Sequence, residues 1–191
     1  NKDLINFKGI EKSKYIGCAV NEERMFYDYD DKYKYDIVFI GGIGKLHSNR
    51  IEILESLAKK YENFAFFGYG VENIPDNYEL RKKYKGWADT KMMRKLFSSS
   101  KIALNLTLDN YEKVAKGFNS RLFEISACGG AIQVAPNDNK INEFFWTNDE
   151  VFVFNSANEL FNQIEYLLQL EGAMQRDIAE RCLAKSTNYS Y

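Results

Sequence analysis

In the stretch FNSRLFEISACGG, residues 118–130, a positive residue sits where a helix begins. Asn119 and Ser120 are both suited to the N-cap, which places Arg121 in the first turn and Glu124 one turn further in. A cation at a helix start is unfavourable by some tenths of a kcal/mol, so Arg121 either points harmlessly away or faces an anion. Arg121 and Glu124 are three apart and share a face, so an i,i+3 ion pair on a solvated helix is one reading. The other is a binding role. Small residues Ser126, Ala127 and Cys128, the terminal pair Gly129-Gly130 and the flanking apolar strands all mark this helix as buried. Charged groups in such a place are commonly there to bind something.

A second chemistry-bearing stretch is GGIGKLHSNR, residues 41–50. Gly42 and Gly44 let the backbone approach a ligand closely, and the following helix start offers free N–H groups and partial positive charge, which suit a phosphate. Lys45, His47 and Arg50 add positive or titratable groups. The loop is neither familiar phosphate motif: the dinucleotide fingerprint needs a third glycine where His47 stands, and the P-loop needs Ser or Thr where Leu46 stands. A tight turn before a helix explains the glycines equally well. His47 is the single histidine, and at a helix start such a ring is more often a cap or phosphate contact than a general base.

These loops need elements to hold them. The apolar runs DIVFIGG, FAFFGYG, KIALNLTL, AIQVAP and VFVF read as buried strands, with KYKG as a further short one. Between them lie amphipathic helices, including SNRIEILESLAKKY and DTKMMRKLF; a final helix covers roughly 173–186. Ser156 and Glu159 form a capping box ahead of an apolar face carrying Leu160, Ile164 and Leu167. About six strands alternating with helices predict an α/β, doubly wound, mostly parallel Rossmann-like sheet. In that architecture ligands bind beyond the carboxyl ends of the strands, where the strand order switches. Residues 1–35 stand outside the alternation, polar with balanced charge, and read as an entry segment or linker from a missing N-terminal domain; residues 36–191 form the Rossmann-like domain.

With 191 residues, 45% of them apolar, and a net charge of -1, the chain suits one domain and gives no global electrostatic reason to bind nucleic acid. The three cysteines lack metal or disulfide spacing, and neither a signal-peptide core nor a bilayer-length apolar run of roughly 18 residues is present, so a cytoplasmic setting is expected. Between 81 and 101, eight basic residues face one acidic one, Asp89. That run reads as a solvated face, and is also suited to a peripheral membrane surface or an anionic acceptor. Trp87 lies next to Gly86 and is expected in the core, with a stacking surface as the alternative. Asp28-Tyr29-Asp30 has the D-x-D form of some metal sites, but lies in the entry segment rather than after a strand, so a structural role and no metal are expected.

The run NSRLFEISACGG, followed by a strand, an Asn-rich segment ending in EFF, VFVF and SANELFNQIEYLL, resembles the C-terminal half of GT-B glycosyltransferases, nearest to bacterial spore-maturation-type proteins and families 1 and 4. The likeness extends over most of residues 33–186, and its central motif is moderately specific. It implies a nucleotide-diphosphate sugar donor as substrate, no separate cofactor, and a second, N-terminal acceptor-binding domain needed for activity. It also implies roles: Glu124 accepting from both ribose hydroxyls, Arg121 and Asn119 near the diphosphate or sugar, and the Gly42–Gly44 loop with Arg50 on the phosphate side. Retaining family-4 enzymes carry a second glutamate eight residues earlier; here that position is Lys116, which suits phosphate and leaves the stereochemistry open. Two rival readings stand beside this one. A non-catalytic nucleotide-binding or scaffolding module fits the replacement at Lys116. A dinucleotide oxidoreductase is opposed by the absent glycine fingerprint.

Overall fold

The computed structural model describes residues 18–44, 48–106, 119–138 and 140–190. Five strands, β1 (Ile37–Gly42), β2 (Phe64–Tyr69), β3 (Ile102–Leu104), β4 (Ile132–Pro136) and β5 (Val151–Phe154), form one sheet of order β2-β1-β3-β4-β5. Every pairing is parallel. The doubly wound α/β class is as expected, with one strand fewer among the described residues. The KYKG segment makes a single bridge, Tyr84 to Phe66, and two backbone hydrogen bonds along the outer edge of β2. It has no room for more: Lys83 still closes a helix, and Gly86 at φ +99° turns the chain away.

Among the described residues, six helices cover the sheet: α1 (Ser48–Lys60), α2 (Glu79–Lys83), α3 (Thr90–Ser99), α4 (Arg121–Cys128), α5 (Ala157–Gln169) and α6 (Gly172–Ser186). Because both faces are covered, the strands are continuous apolar runs, and their alternate residues serve two cores. Ile37 and Phe39 pack with Leu54 and Leu57 of α1 and Leu160 and Ile164 of α5. Val38 and Ile40 pack on the opposite face with Leu96 and Phe97 of α3, Phe123 and Ile125 of α4, and Cys182 of α6. Ser156 caps α5, its Oγ accepting from the Glu159 N–H at 3.2 Å, while Glu159 Oε2 reaches back to the Asn155 N–H at 2.7 Å. The capping box therefore closes one residue earlier than its usual form.

The helix carrying the opening motif is buried along most of its length, from Leu122 and Phe123 to Cys128. It ends at Gly129 in the left-handed conformation, φ 60°, where a non-glycine residue would be strained. Gly130 is there for space instead: a Cβ would lie 2.1 Å from the Ser98 carbonyl oxygen at the end of α3.

Residues 18–35 pack onto this body. Val20 and Met25 are buried in the α3–α4–α6 core, and the Val20 N–H donates to the Tyr189 carbonyl at 3.0 Å. The Asp28-Tyr29-Asp30 sequence has the structural role expected of it. Asp28 pairs with Arg94 at 2.9 Å and Asp30 with Lys95 at 2.9 Å, while their backbone N–H groups donate to the hydroxyls of Ser98 and Ser99. Other cations of the 81–101 run are also engaged: Arg81 with Asp76, Lys82 with Glu79, Lys101 with Asp36, and Lys83 with the Glu62 carbonyl. The run is thus interleaved with acceptors and is not a continuous cationic face.

Two outcomes follow from this packing. Gly130→Ala forces a methyl group against the rigid end of α3 and should cost about 1–3 kcal/mol in urea unfolding, the usual range for overpacking, whereas Gly44→Ala, where a Cβ meets nothing within 4 Å, should stay within about 0.5 kcal/mol. The hydrogen bond from Arg94 holds the Asp28 carboxyl below its ordinary pKa. Its stabilising contribution is therefore present above the unfolded-state value and lost as pH falls through the lowered native one. Unfolding midpoints measured on descent from about pH 5 to pH 2 should fall less steeply for Asp28→Asn than for wild type.

Candidate functional site

The strand order places a crevice at one spot. From β1 the chain moves to β2 on one side and then returns to β3 on the other, so the crossovers diverge beyond the carboxyl ends of β1 and β3. A cleft of about 210 Å³ lies there, lined by the end of β1, Tyr69, the segment 104–106 and the start of α4. Gly42 forms part of its wall for a steric reason: a Cβ would lie 2.3 Å from the ring of Tyr69, which stands beside it on β2.

Arg50, from the first turn of α1, is buried. Its guanidinium donates to the Gly42 carbonyl at 3.0 Å and to the Leu106 carbonyl, tying the end of β1 to the segment after β3. Asn119 Nδ2 donates to Asn105 Oδ1 at 2.8 Å, a second tie across the same crevice. Asn105 is itself buried. Ser120 occupies the N-cap position of α4 in helical conformation, and its side chain makes no capping bond. The orphan donors there are consequently met partly by backbone: the N–H of Leu122 donates to the Asn119 carbonyl at 3.2 Å and that of Phe123 to the Ser120 carbonyl at 3.0 Å.

Arg121 lines the cleft and bonds Glu124 at 2.7 Å, so the i,i+3 pair does form. It is only partly solvated, with 23% and 22% of the two side chains exposed, and the guanidinium also lies 5.4 Å from the Phe97 ring centre and contacts Met93 Sδ. Glu124 stands behind Arg121 rather than in the cleft wall; only its Oε2 is hydrogen-bonded among the described residues. Gly42, Arg50, Asn119 and Arg121 are brought together around the cleft, with Gly44 just beyond the end of β1. Lys45, His47 and Lys116 lie outside the described residues.

Trp87 is not in the core. It is 65% exposed, and its ring stands 6.3 Å from that of Tyr69, itself 58% exposed, with 34° between the planes. Two open aromatic faces therefore flank the cleft, on the β2 side. Tyr69 and Asn105 were not among the residues singled out from sequence. The signal for Tyr69 was available in its position at the strand end of FAFFGYG, whereas Asn105 carries no local signal because its partner is 14 residues away. The buried thiols of Cys128 and Cys182 are pushed up to about 12 by desolvation, which removes them as nucleophiles near neutrality.

Comparison with known proteins agrees with this geometry. The model of a family described as glycosyl transferase-like matches residues 50–190. No curated protein sequence matches the chain. Among solved structures, a sucrose-phosphate synthase from Thermosynechococcus elongatus superposes with a TM-score of 0.66 at 15% identity, over 92% of this chain and 48% of that one. The Anabaena protein HepE, in complex with UDP-glucose, gives 0.63 at 13% identity over 90% of this chain and 51% of its own. The C-terminal domain of a group 1 family glycosyl transferase, LpcC, from Francisella tularensis gives 0.62 at 14% identity over 89% and 97%. This chain thus spans about half the length of the first two and nearly all of an isolated C-terminal domain. The fold is that of the C-terminal, Rossmann-like half of GT-B glycosyltransferases.

If Trp87 is a solvent-facing group rather than a core one, Trp87→Ala should change unfolding free energy by no more than about 0.5 kcal/mol, against about 3–5 kcal/mol for Phe123→Ala in the core. Denaturant titration of the two variants separates the cases.

Proposed function

The chain belongs to the glycosyl transferase-like family, and from that premise we propose that its cleft beyond β1 and β3 binds the nucleoside-diphosphate part of a sugar donor. The observation that carries this reading is the convergence of Arg121, Asn119, the glycine-ended β1 and the α4 start on one crevice at the strand-order switch. A helix start and a guanidinium meet a diphosphate with hydrogen bonds and opposite charge. That is the anion which the cation at the opening of α4 is placed to face.

Glu124 supplies the ribose contact in this reading. Diphosphate binding draws Arg121 toward the cleft, and the carboxylate it leaves accepts from the two vicinal hydroxyls. Its Oε1 has no hydrogen bond among the described residues to give up first. The exposed faces of Tyr69 and Trp87 offer the base a stacking surface. HepE, whose structure was determined with UDP-glucose, supports a nucleotide sugar as the donor class.

The reaction is glycosyl transfer to an acceptor held by a second, N-terminal GT-B domain, with backbone N–H groups and Arg121 stabilising the departing nucleoside diphosphate. In this reading it proceeds without a metal or a separate cofactor, the Arg121 guanidinium supplying the positive charge beside the leaving group. By itself the 191-residue chain binds donor and has little or no transferase activity.

Calorimetric titration of the purified protein with UDP, GDP, ADP and NAD, without added metal, tests the proposal. One nucleoside diphosphate should bind selectively. Glu124→Ala should weaken it by roughly 10- to 100-fold, the worth of hydrogen bonds to a charged group, and Arg121→Ala should do so comparably. If no nucleotide binds, or Glu124→Ala binds as well as wild type, the Glu124 assignment falls and a scaffolding module replaces it.

A further inference from the structure

A second cavity lies apart from the donor cleft. About 510 Å³ lies at the carboxyl ends of β4 and β5, within the roughly 300–1,000 Å³ usual for ligand pockets. Its lining is unusual in chemistry: five asparagines and a glutamine, Asn137, Asn142, Asn148, Asn155, Asn162 and Gln163, with Glu159 as the single charged group.

These side chains come from five places, the last of them α5, which carries Glu159, Asn162 and Gln163. Asn137 follows β4 and Asn155 follows β5, joined by a hydrogen bond from Asn137 Nδ2 to Asn155 Oδ1 at 2.9 Å. Asn142 lies in the turn 141–143, and its Oδ1 accepts from the N–H and hydroxyl of Thr147. Asn148 holds a left-handed backbone, φ 61°, and its Oδ1 accepts from the Val153 N–H and from Gln163 Nε2. The carbonyl sides of Asn142 and Asn148 are thereby fixed by the protein, while their NH₂ groups have no acceptor among the described residues. The side chain of Asn162, on α5, makes no hydrogen bond among them. Glu159 Oε2 accepts from the Asn155 backbone N–H at 2.7 Å and from its side chain at 2.8 Å, and that bonding holds the carboxyl below its ordinary pKa.

We propose that this amide-lined cleft binds a neutral saccharide, held by amide NH₂ donors, amide oxygens and the Glu159 carboxylate. A sugar ring presents adjacent hydroxyls that each donate and accept, which matches amides that do both. An anion is opposed by Glu159 and by the absence of any Lys or Arg from the lining. An apolar ligand would strip water from the amides without replacing their hydrogen bonds. A nucleobase or another planar group lacks a face to stack on, since Val153 is the one apolar residue of the lining. Asn137 and Asn155 put this cleft beyond the carboxyl ends of β4 and β5, as the donor crevice lies beyond those of β1 and β3, and since β3 and β4 are adjacent, one ligand chain running along that edge passes both.

The site is independent of the donor reading and is tested without nucleotide. Side-chain amide signals in ¹H–¹⁵N spectra are followed during separate titrations with glucose, N-acetylglucosamine, maltose, uridine and inorganic phosphate. Expected is a saturable shift of the amides of Asn142, Asn148 and Asn162 with at least one sugar, at a Kd of about 1 mM. Asn162→Ala, whose side chain holds nothing in the fold, should weaken that binding by about tenfold while leaving the rest of the spectrum in place. Shifts caused by phosphate or uridine and not by sugar overturn the proposal, as does sugar binding that perturbs only Tyr69, Trp87 and Arg121. No sugar response at any of these amides overturns it as well. Loss of nucleotide binding in the donor cleft bears only on the earlier reading.

Discussion

The structure depends on what holds two neighbouring parallel strands apart at their carboxyl ends. Crossovers from β1 and into β3 diverge, so the ladder between these two strands stops at Phe39 and Leu104, and the carbonyls beyond it on that side need other donors. Arg50 supplies them. One guanidinium reaches the carbonyls of Gly42 and Leu106, and burial strengthens each bond because no water competes. Asn119 to Asn105 does the same for the start of α4. The crevice is open because the topology opens it, and its rim is rigid because these side chains take over the hydrogen bonds that the sheet leaves unmade.

Rigidity there decides how the charges behave. An exposed i,i+3 pair contributes little, but Arg121 and Glu124 are about three-quarters covered and further confined by Phe97 and Met93. The ion pair and the binding role are consequently not rivals. In the unliganded chain, pairing with Glu124 offsets the cost of a cation beside a helix start. An anion in the cleft would offer that cation a stronger partner than a single carboxylate, so the same pair that stabilises the helix start leaves Arg121 able to exchange partners. The entry segment supports the arrangement from behind: Asp28 and Asp30 hold α3, which carries Met93 and Phe97 against Arg121.

The strands were legible because burial on both faces writes itself as an unbroken apolar run, and α4 was legible because small residues and a glycine pair mark tight packing. KYKG failed as a strand since its length is set by the end of α2 and the turn at Gly86, neither of which hydrophobicity reports. Trp87 failed for a related reason. A large aromatic is usually buried, yet the positive φ of its neighbour swings the chain outward, and only the folded geometry shows it beside Tyr69. Arg121, Asn119 and Arg50 could be read locally as candidates for binding, but the role of Arg50 as a tie between strands needed the position of Leu106, which is 56 residues away.

The same edge of the sheet thus carries two surfaces of opposite electrostatic character. Around β1 and β3, guanidinium groups and a helix start favour an anion; around β4 and β5, amides and one carboxylate reject one. The division follows from the elements: α4 begins with a cation in its first turn, whereas α5 begins with a capping box whose glutamate, held by Asn155 through Oε2, keeps a negative charge there. A molecule with a charged end and a neutral polyhydroxyl end would lie along this edge in one orientation only, since reversing it sets its charge against Glu159 and leaves Arg121 with no anion beyond its own helix. Orientation along the edge is thereby determined by electrostatics before any specific contact is made.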